Sequence, residues 1–275
     1  MNTKGVDTDM TNSVGIIGDG VIGGANKNGF EHIGHYVKVH DIKYNSSIRQ
    51  ILECEVVFVC VPTPMKQDGS CDVSIVEDVV RELTEIAYPG IICIRSTCIP
   101  GTTQALIDKF ENNRICFSPE FLRERCAVED FIENHQLLAI GTQDDYCFEK
   151  IKDVHGDLPK SIVRLTPTEA ELLKYYNNVY NSVRIIFANY MFEICQKLDA
   201  DYDQILDAYL LTQKSTGNYL SVNENLRGFG GMCLPKDTAA LSKLSEKLNI
   251  PLKLISTVIA DNDKLEITVF DGMRK

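Results

Sequence analysis

Residues 13–23 read SVGIIGDGVIG, which is a short apolar run followed by a glycine-rich turn. The turn has the pattern GxGxxG, formed by Gly18, Asp19, Gly20, Val21, Ile22 and Gly23. Between a strand and a helix, this pattern lets the backbone approach a pyrophosphate at the N-terminus of the helix. The pattern is weak by itself, and a glycine-rich surface turn is the alternative. The strand-like run before it favours a dinucleotide-binding domain.

Asp41 is the candidate ligand for a ribose. It ends the second apolar run, close to the ~20-residue spacing expected between the glycine turn and such a carboxylate. A carboxylate there accepts a hydrogen bond from the 2′-hydroxyl group and repels a 2′-phosphate, so the sequence predicts NAD rather than NADP. A solvated aspartate is the alternative. The helix after the turn is expected to be short or irregular, because residues 24–29 include two glycines and two asparagines.

Short apolar runs alternate with helix-like segments from residue 13 to about residue 165. The runs lie at 14–17, 36–39, 56–61, 91–94, 115–117 and 137–140, and they are rich in Val, Ile, Cys and Phe. Helical periodicity marks residues 74–86 and 102–110 between them. Continuous apolar runs are typical of strands buried on both faces. Their alternation with helices predicts an α/β fold with a Rossmann-like, doubly wound parallel sheet.

The pattern changes at residues 166–169, which read TPTE. They provide a capping hydroxyl group, a proline at the first helical position and a glutamate at the third, so a helix begins there. Apolar residues then recur at helical spacing as far as residue 198. Further helices are predicted at 202–212, 237–248 and 251–268, with a polar loop at 215–231. The sequence therefore predicts an NAD-binding domain at 13–165 and an all-helical domain with one long central helix at 166–275.

The composition limits the possible partners. The chain has 275 residues and a formal net charge of −11, which argues against nucleic acid and anionic membranes. No apolar run reaches the ~18 residues that span a bilayer, and the first dozen residues resemble no targeting signal. Ten cysteines scattered without CxxC pairs indicate reduced thiols, no metal site and a cytoplasmic protein. The apolar face of the long helix is wide, so we expect a homodimer.

The most specific stretch is GFGGMCLPKD, at residues 228–237. It places Cys233 after flexible glycines and just before a predicted helix. The dipole of that helix and the ammonium group of Lys236 would both lower the pKa of the thiol and raise the fraction of thiolate. A buried structural cysteine is the alternative, but the flanking glycines and Asp237 favour a reactive thiol.

Five groups of short motifs lie along the chain. They are VPTP with DGS (61–64, 68–70), RST with PGTT (95–97, 100–103), SPEFLRE (118–124), a KxxxN pair (Lys174, Asn178) and GFGGMCLPKDT (228–238). In this order they resemble the motifs of the UDP-glucose/GDP-mannose dehydrogenase family, and they span roughly residues 14–248. Five ordered matches are far harder to obtain by chance than any one of them.

The resemblance implies an NAD-dependent nucleotide-sugar dehydrogenase of polysaccharide biosynthesis, which oxidises the C6 alcohol of a sugar to a carboxylate through a thiohemiacetal and a thioester on a cysteine. It implies these catalytic residues: Cys233, Lys174, Asn178, Asp237, Glu120, Glu124 and Thr97. It implies cofactor contacts from Gly18, Gly20, Val21, Ile22, Gly23, Asp41, Pro62, Thr63, Thr97 and Glu124. It implies substrate contacts from Glu120, Phe121, Leu122, Arg123, Lys174, Asn178, Gly230 and Cys233.

Chemistry makes sense of these residue types. Lys174 and Asn178 lie at i and i+4 and can both donate hydrogen bonds to an oxyanion. Proton removal and water activation need carboxylates, for which Glu120, Glu124 and Asp237 are all candidates. The sequence does not indicate which of these carboxylates is the base. We expect Thr97 to orient the water that is activated. Without the resemblance, an exposed helical pair and a solvated acidic face would be the alternatives.

UDP-glucose is the expected substrate. The GFGG before Cys233 resembles UDP-glucose enzymes more than the AFGG of many GDP-mannose enzymes. Three alternatives stay open: a GDP-mannose 6-dehydrogenase, an oxidoreductase resembling β-hydroxyacid dehydrogenases with a single hydride transfer, and a non-catalytic NAD-binding remnant.

The sequence also departs from the family. Only residues 42–52 separate Asp41 from the next turn, where relatives usually carry a longer βα segment, so we expect a trimmed sheet. We also expect a short form without the C-terminal nucleotide-binding domain, or a part of a longer chain, and in either case weak discrimination between nucleotides.

Overall fold

The computed structural model of the chain describes residues 12–44, 46–211, 219, 222–249 and 253–266. Within these residues the chain forms two compact units. The first comprises the described residues within 1–63 and 72–174, and the second comprises those within 64–71 and 175–275.

The first unit is built on a seven-stranded sheet in the order β2-β1-β3-β4-β5-β6-β7. Its strands are β1 (Ser13–Ile17), β2 (Tyr36–His40), β3 (Val56–Val59), β4 (Ile91–Ile94), β5 (Ile115–Phe117), β6 (Leu138–Gly141) and β7 (Ile162–Leu165). Its helices are α1 (Val21–His32), α2 (Ser74–Glu85), α3 (Thr102–Phe110), α4 (Ala127–Ile132) and α5 (Asp145–His155), followed by the start of α6 (Pro167–Leu198). Strands β1 to β5 are parallel, which confirms the predicted α/β fold.

The central strands are buried on both faces, as their continuous apolar sequence predicts. On one face Val57 and Ile92 join an apolar cluster with residues of α2 and α3. On the other face Phe58 and Cys93 pack with residues of α1, α4 and α5. Alternation along each strand therefore supplies both layers of the core.

The far edge of the sheet differs from the expected all-parallel arrangement. Strand β6 meets β5 in the antiparallel direction, with Phe117 opposite Gly141, and β7 runs parallel to β6. A strand buried on both faces reads the same in either direction, so the sequence does not reveal this reversal. Strand β7 escaped prediction because Arg164 interrupts its short apolar run.

Helix α1 is longer and more regular than its glycines suggest, with twelve residues from Val21 to His32. A Cβ atom added to Gly29 would lie 2.0 Å from Cδ1 of Phe131. Asn26 is fully buried and donates to the Ile22 carbonyl at 2.8 Å. Helix packing therefore outweighs the poor intrinsic propensity, and Gly29 permits the close approach of α1 to α4.

Strand β2 is the first strand in the sheet order, consistent with the expected trimmed sheet. The chain returns from it to β3 through a 3₁₀ helix, Ile48–Ile51. Ile51 is fully buried and Ile48 nearly so, and both join the core on that face. The connection between β2 and β3 is too short for a longer helix. Among the described residues, this single turn covers that part of the sheet instead.

The second unit is helical. It contains the part of α6 from Tyr175 onward, together with α7 (Tyr202–Leu211), α8 (Leu234–Lys247) and α9 (Leu254–Asn262). The short segment Pro64–Cys71 belongs to this unit, and a Cβ atom on Gly69 would lie 3.6 Å from Cβ of Ala239 in α8. Helices are present at the three predicted places, but the one predicted at 237–248 begins at Leu234, and the one predicted at 251–268 begins at Leu254 and ends at Asn262. Residue 212, parts of 215–231 and both ends of 251–268 lie outside the described residues.

The start of α6 is the predicted capping box. The hydroxyl group of Thr166 accepts from the Glu169 backbone at 3.3 Å, and the Glu169 carboxylate accepts from the Thr166 backbone at 2.8 Å.

All ten cysteines are free thiols, and seven of them are buried. No helix in the described part of the chain is long and apolar enough to cross a membrane.

Two glycines of α1 provide a matched test of the helix packing. We expect Gly29→Ala to lower the free energy of unfolding by about 1–3 kcal/mol, because its Cβ atom would overlap Phe131. Gly24→Ala should raise it by up to about 1 kcal/mol, because a Cβ atom there has its nearest printed contact at 3.6 Å and alanine favours the helix. Urea unfolding measures both. Equal effects would contradict the proposed role of Gly29.

Candidate active site

The glycine turn has the backbone geometry that a bound pyrophosphate requires. Gly18 has φ +94°, and a Cβ atom on it would lie 2.7 Å from the Cys60 carbonyl oxygen. A Cβ atom on Gly23 would lie 1.8 Å from the Gly18 oxygen, whereas one on Gly20 would meet nothing within 4 Å. Two glycines therefore close the turn and the third leaves space above it.

The N-terminus of α1 suits an anion. Gly20 precedes the helix without a side-chain cap, and the first turn contains no acidic residue. Val21 is exposed and Ile22 is half-buried. Backbone N–H groups at such a terminus favour negative charge, so the turn fits the pyrophosphate of a dinucleotide.

Asp41 directly follows β2 and is mostly buried. Its two carboxylate oxygens accept from the backbone N–H groups of Asp19 at 2.6 Å and Lys43 at 2.9 Å. The N–H group of Lys43 holds the pKa of Asp41 below its ordinary value, so this carboxylate is ionised at neutral pH. Asp41 therefore fixes the glycine turn as well as supplying a negative charge beside it, and the sequence predicted the charge only.

The other predicted cofactor residues lie after β3, after β4 and in the segment after β5. Pro62 is exposed and Thr63 is buried, both beyond the end of β3. Thr97 is half-buried beyond β4, and Glu124 is exposed at the start of a 3₁₀ helix, Glu124–Cys126. The carboxyl ends of parallel strands are where open α/β sheets bind their ligands.

Glu120 and Lys174 form a buried ion pair in the first unit. The ammonium group of Lys174 donates to a Glu120 carboxylate oxygen at 2.8 Å and to its carbonyl oxygen at 2.7 Å. Both side chains are less than a tenth exposed. The second carboxylate oxygen accepts from the backbone of Leu122 at 2.7 Å. These contacts are charge-assisted hydrogen bonds, and the sequence did not predict this ion pair.

The residues between Glu120 and Glu124 have different environments. The ring of Phe121 lies 5.8 Å from the Lys174 ammonium group. Arg123 binds Asp130 through its guanidinium group, at 2.9 and 2.6 Å, and through its backbone N–H at 2.9 Å. The hydrogen bond to Asp130 raises the pKa of Arg123, and the same bond lowers the pKa of Asp130. Arg123 thus braces this segment.

Asn178 and Asp237 form the corresponding pair in the second unit. The Asn178 amide donates to one Asp237 carboxylate oxygen at 2.6 Å, and the other oxygen lies 3.0 Å from the ammonium group of Lys236. Asp237 is fully buried. One turn after Asn178 on α6, the hydroxyl group of Ser182 makes a buried contact at 2.8 Å with that of Thr238, the residue that follows Asp237. Lys174 and Asn178 themselves lie one turn apart on α6.

Cys233 is the residue immediately before α8 and is half-buried. The backbone N–H of Asp237 donates to its carbonyl oxygen at 2.9 Å, which forms the first turn of the helix. Pro235 lies in that turn, and Gly231 before the cysteine has φ +83°. The thiol therefore lies at a helix N-terminus, as the sequence predicted.

Sequence reasoning missed three buried polar residues. Glu171 accepts three hydrogen bonds at the start of α3, from the Gly101 and Thr103 backbones and the Thr103 hydroxyl group, at 2.6 to 2.8 Å. Burial raises the pKa of Glu171. Asn189 and Asn262 bind the loop before Cys233. Their spacing in the sequence resembles ordinary helix positions, so no local pattern reveals them.

Comparison with known proteins assigns the chain to a family. Residues 43–158 match the model of the NAD binding domain of the UDP-glucose/GDP-mannose dehydrogenase family, and residues 168–264 match the model of its central domain. The chain belongs to this family. The resemblance drawn from the five motif groups is thereby confirmed, and so is NAD as the cofactor.

Named relatives within the UDP-glucose/GDP-mannose dehydrogenase family are distant. The chain is 28% identical to the UDP-glucose 6-dehydrogenase of Rickettsia felis, over 88% of the chain and 55% of the relative. It is 27% identical to the GDP-mannose 6-dehydrogenase of Pseudomonas aeruginosa, over 81% and 54%. A solved UDP-glucose dehydrogenase from Pyrobaculum islandicum superposes with a TM-score of 0.86 at 25% identity, over 94% of this chain and 69% of that one. The chain spans about half the length of the curated relatives it matches.

Asp41 gives a test of cofactor binding in this family member. Asp41→Ser should lower the ratio of the NADP dissociation constant to the NAD dissociation constant by roughly tenfold or more. The substitution removes the repulsion between the Asp41 carboxylate and the 2′-phosphate of NADP, and two unit charges about 4 Å apart repel by about 1–4 kcal/mol. Lys43→Ala is the matched control and should raise the same ratio. It removes a cation 3.7 Å from Asp41 that offsets the negative charge of the carboxylate. Isothermal titration calorimetry measures the six dissociation constants, for NAD and NADP with each of the three proteins. Equal affinity of the unaltered chain for NAD and NADP would show that Asp41 does not face the 2′ position.

Proposed function

We propose that this chain carries out the NAD-dependent, four-electron oxidation of the C6 alcohol of a nucleotide sugar to a carboxylate, with UDP-glucose as substrate and UDP-glucuronate as product. The observation that most supports the proposal is the position of Cys233 at the start of α8, one turn before the buried Asp237 that binds Asn178. A half-buried thiol, an amide and a carboxylate in one structural unit are the groups that thioester chemistry needs.

The cofactor fits the first unit. The glycine turn leaves open space above Gly20 at the uncapped N-terminus of α1, and Asp41 lies beside the turn. We assign the pyrophosphate to this turn and the adenosine ribose to Asp41. When bound, NAD serves as the two-electron oxidant in both oxidations, so two molecules are reduced for each carboxylate formed.

Cys233 divides the reaction into two oxidations. After the alcohol has become an aldehyde, the thiolate of Cys233 adds to the C6 carbon, a C–S bond forms, and the carbonyl oxygen becomes an oxyanion that takes a proton. The resulting thiohemiacetal still carries a hydrogen on carbon and is oxidised to a thioester. Water then adds to the thioester, the C–S bond breaks, and the carboxylate and the thiolate of Cys233 separate.

Lys174 and Asn178 are proposed as donors to the oxyanion. They lie one turn apart on α6, and both carry N–H groups that are already aligned by carboxylates. Fixed donors of this kind stabilise developing negative charge without reorganising, which contributes on the order of 3–4 kcal/mol per donor in other enzymes.

The carboxylates have different assignments. Asp237 lies in the first turn of α8, the helix that Cys233 precedes, and is proposed to exchange protons with the thiol. Glu120, held by Lys174, is proposed to act on the alcohol and on the attacking water, with Thr97 orienting that water. The exposed Glu124 is proposed to contact the cofactor, and Gly230 and residues 121–123 the sugar.

A panel of nucleotide sugars tests the proposed function and the choice of substrate. Production of NADH is followed at 340 nm with UDP-glucose, GDP-mannose and their sugar isomers. UDP-glucose should give the highest kcat/KM and two NADH per sugar acid. A preference for GDP-mannose would change the substrate within the same chemistry. Absence of turnover with every sugar, while NAD still binds, would contradict the proposal and favour a non-catalytic NAD-binding protein.

Replacement of the thiol tests the covalent mechanism. Cys233→Ala should lower formation of the sugar acid by at least about 10³-fold while NAD binding is retained, because water must then replace the thiolate as nucleophile. Cys126→Ala is the matched control, a second half-buried thiol, and should stay within about threefold of the unaltered chain. Mass spectrometry of the stalled enzyme should find the adduct on Cys233. Acid formation by Cys233→Ala near the original rate would rule out the thioester.

The outer face of α6 supports a proposed homodimer. Among the side chains of this helix that the structure describes, six apolar or aromatic ones are more than a third exposed: Leu172, Tyr176, Tyr180, Phe187, Ile194 and Leu198. At about 100° per residue they fall within one sector of about 80°. A stripe of this kind is costly to leave in water, so we assign it to contact with a second copy of the chain.

Light scattering at micromolar concentration tests the homodimer. The expected result is twice the 30.8 kDa mass of the chain. Tyr176→Lys together with Phe187→Lys, both on exposed positions, should give the monomer without lowering the thermal midpoint of NAD-bound protein. A monomeric mass for the unaltered chain would exclude the proposed interface.

A further inference from the structure

The loop before Cys233 is held by a side-chain amide from another helix. Asn262, the last residue of α9, accepts from the Phe229 backbone N–H at 2.8 Å and donates to the Phe229 carbonyl oxygen at 3.1 Å. Asn262 and Phe229 are both buried. A carboxamide that binds the N–H and C=O groups of one residue occupies the place of a neighbouring β-strand. We call this arrangement the Asn262 clamp.

A second asparagine holds the preceding residues. Asn189 of α6 accepts from the guanidinium group of Arg227 at 2.6 Å, and its own amide donates to the Ile185 carbonyl at 2.8 Å. Arg227 also pairs with Glu193 at 2.5 Å. Residues from α6 and α9 therefore fix the chain from 227 to 229.

The glycines explain why such anchoring is needed. Gly228 and Gly231 both have positive φ, at +65° and +83°, and Gly230 lies between them. Glycine has more accessible backbone conformations than any other residue, so a loop of this composition has a high entropic cost of ordering. Cys233 follows this loop directly, and its position depends on where the loop is held.

We infer that Asn262 is a positioning residue for Cys233, which acts by fixing the Phe229 backbone, with Asn189 as its counterpart at Arg227. The inference rests on the proposed function of Cys233 as the nucleophile. Asn262 touches the backbone of Phe229, which precedes Cys233 by four residues, so it acts on the thiol through the loop between them.

The chemistry of the carboxamide makes the role specific. It offers one acceptor and one donor group in a plane, which match the N–H and C=O of Phe229. Leucine has a similar shape without either group. An ionised carboxylate keeps the acceptor but places negative charge against the Phe229 oxygen. A protonated carboxyl group restores one donor and one acceptor.

The first test is Asn262→Leu in the 275-residue chain. We expect kcat with the preferred nucleotide sugar to fall by about 10²-fold, since a displacement of about 1 Å at a reacting group has an effect of that size. The dissociation constant for NAD should stay within about twofold. The pH midpoint for alkylation of Cys233 by iodoacetamide, followed by mass spectrometry, should move towards that of an unstructured cysteine peptide.

Val258→Ala is the matched control. Val258 lies one turn before Asn262 on α9, is buried, and packs in the same apolar cluster as Phe229 and Leu234. Its truncation removes packing but leaves both hydrogen bonds of the Asn262 clamp. It should lower the thermal midpoint while kcat and the alkylation midpoint stay near those of the unaltered chain. If it lowers kcat as much as Asn262→Leu does, general loosening explains both variants and the inference is overturned.

Asn262→Asp separates positioning from folding. The ratio of its kcat to that of the unaltered chain should rise as the pH falls through the pKa of the new carboxyl group, because protonation restores the donor to Phe229. Taking the ratio removes the common pH dependence of the catalytic groups. A ratio independent of pH, or an alkylation midpoint unchanged in both Asn262 variants, overturns the inference. If no nucleotide sugar is oxidised by the unaltered chain, the proposed function fails, and the alkylation midpoints alone decide the role of Asn262.

Discussion

A buried ammonium group, that of Lys174, is the constraint around which the first unit is arranged. An unpaired charge in the interior costs several kcal/mol, so Lys174 requires a carboxylate in contact, and Glu120 provides both its side chain and its carbonyl oxygen. Glu171, one turn earlier, is equally buried and binds the start of α3. The first turns of α6 are thereby fixed to the segment after β5 and to α3 through charge-assisted hydrogen bonds rather than through apolar packing alone.

The same helix continues the polar pattern in the second unit. Asn178, Ser182 and Asn189 are all buried, and each binds a residue of the chain that leads into or forms the helix after Cys233. These contacts fix the register of α6 against the residues that it binds. An apolar helix face could slide by a turn and still pack, whereas paired amides and hydroxyl groups match in one register only. Helix α6 thus defines the positions of its neighbours as well as supporting their packing.

The sequence predicted what depends on local pattern. The glycine turn, the acidic residue after β2 and the capping box at Thr166 each follow from a short-range rule, and each is present. The sequence did not predict the reversed direction of β6. A strand that is buried on both faces is apolar throughout, and such a sequence reads the same in either direction. It also missed Glu171 and Asn262, since a polar residue on a helix reads as solvated until the partner 33 or more residues away is known. The helix at Val21 was underestimated because propensity ignores the contact between Gly29 and Phe131.

Strand β2, at the edge of the sheet, has a consequence for the behaviour of the protein in concentrated solution. An edge strand presents backbone groups that can pair with another molecule, and such pairing leads to aggregation. Here the strand is only five residues long and reads YVKVH, with Lys38 at its centre. The lysine is held beside the strand by Glu53, so an incoming strand would have to bury that ion pair. The ion pair of Lys38 and Glu53 thus protects this edge of the sheet against edge-to-edge association.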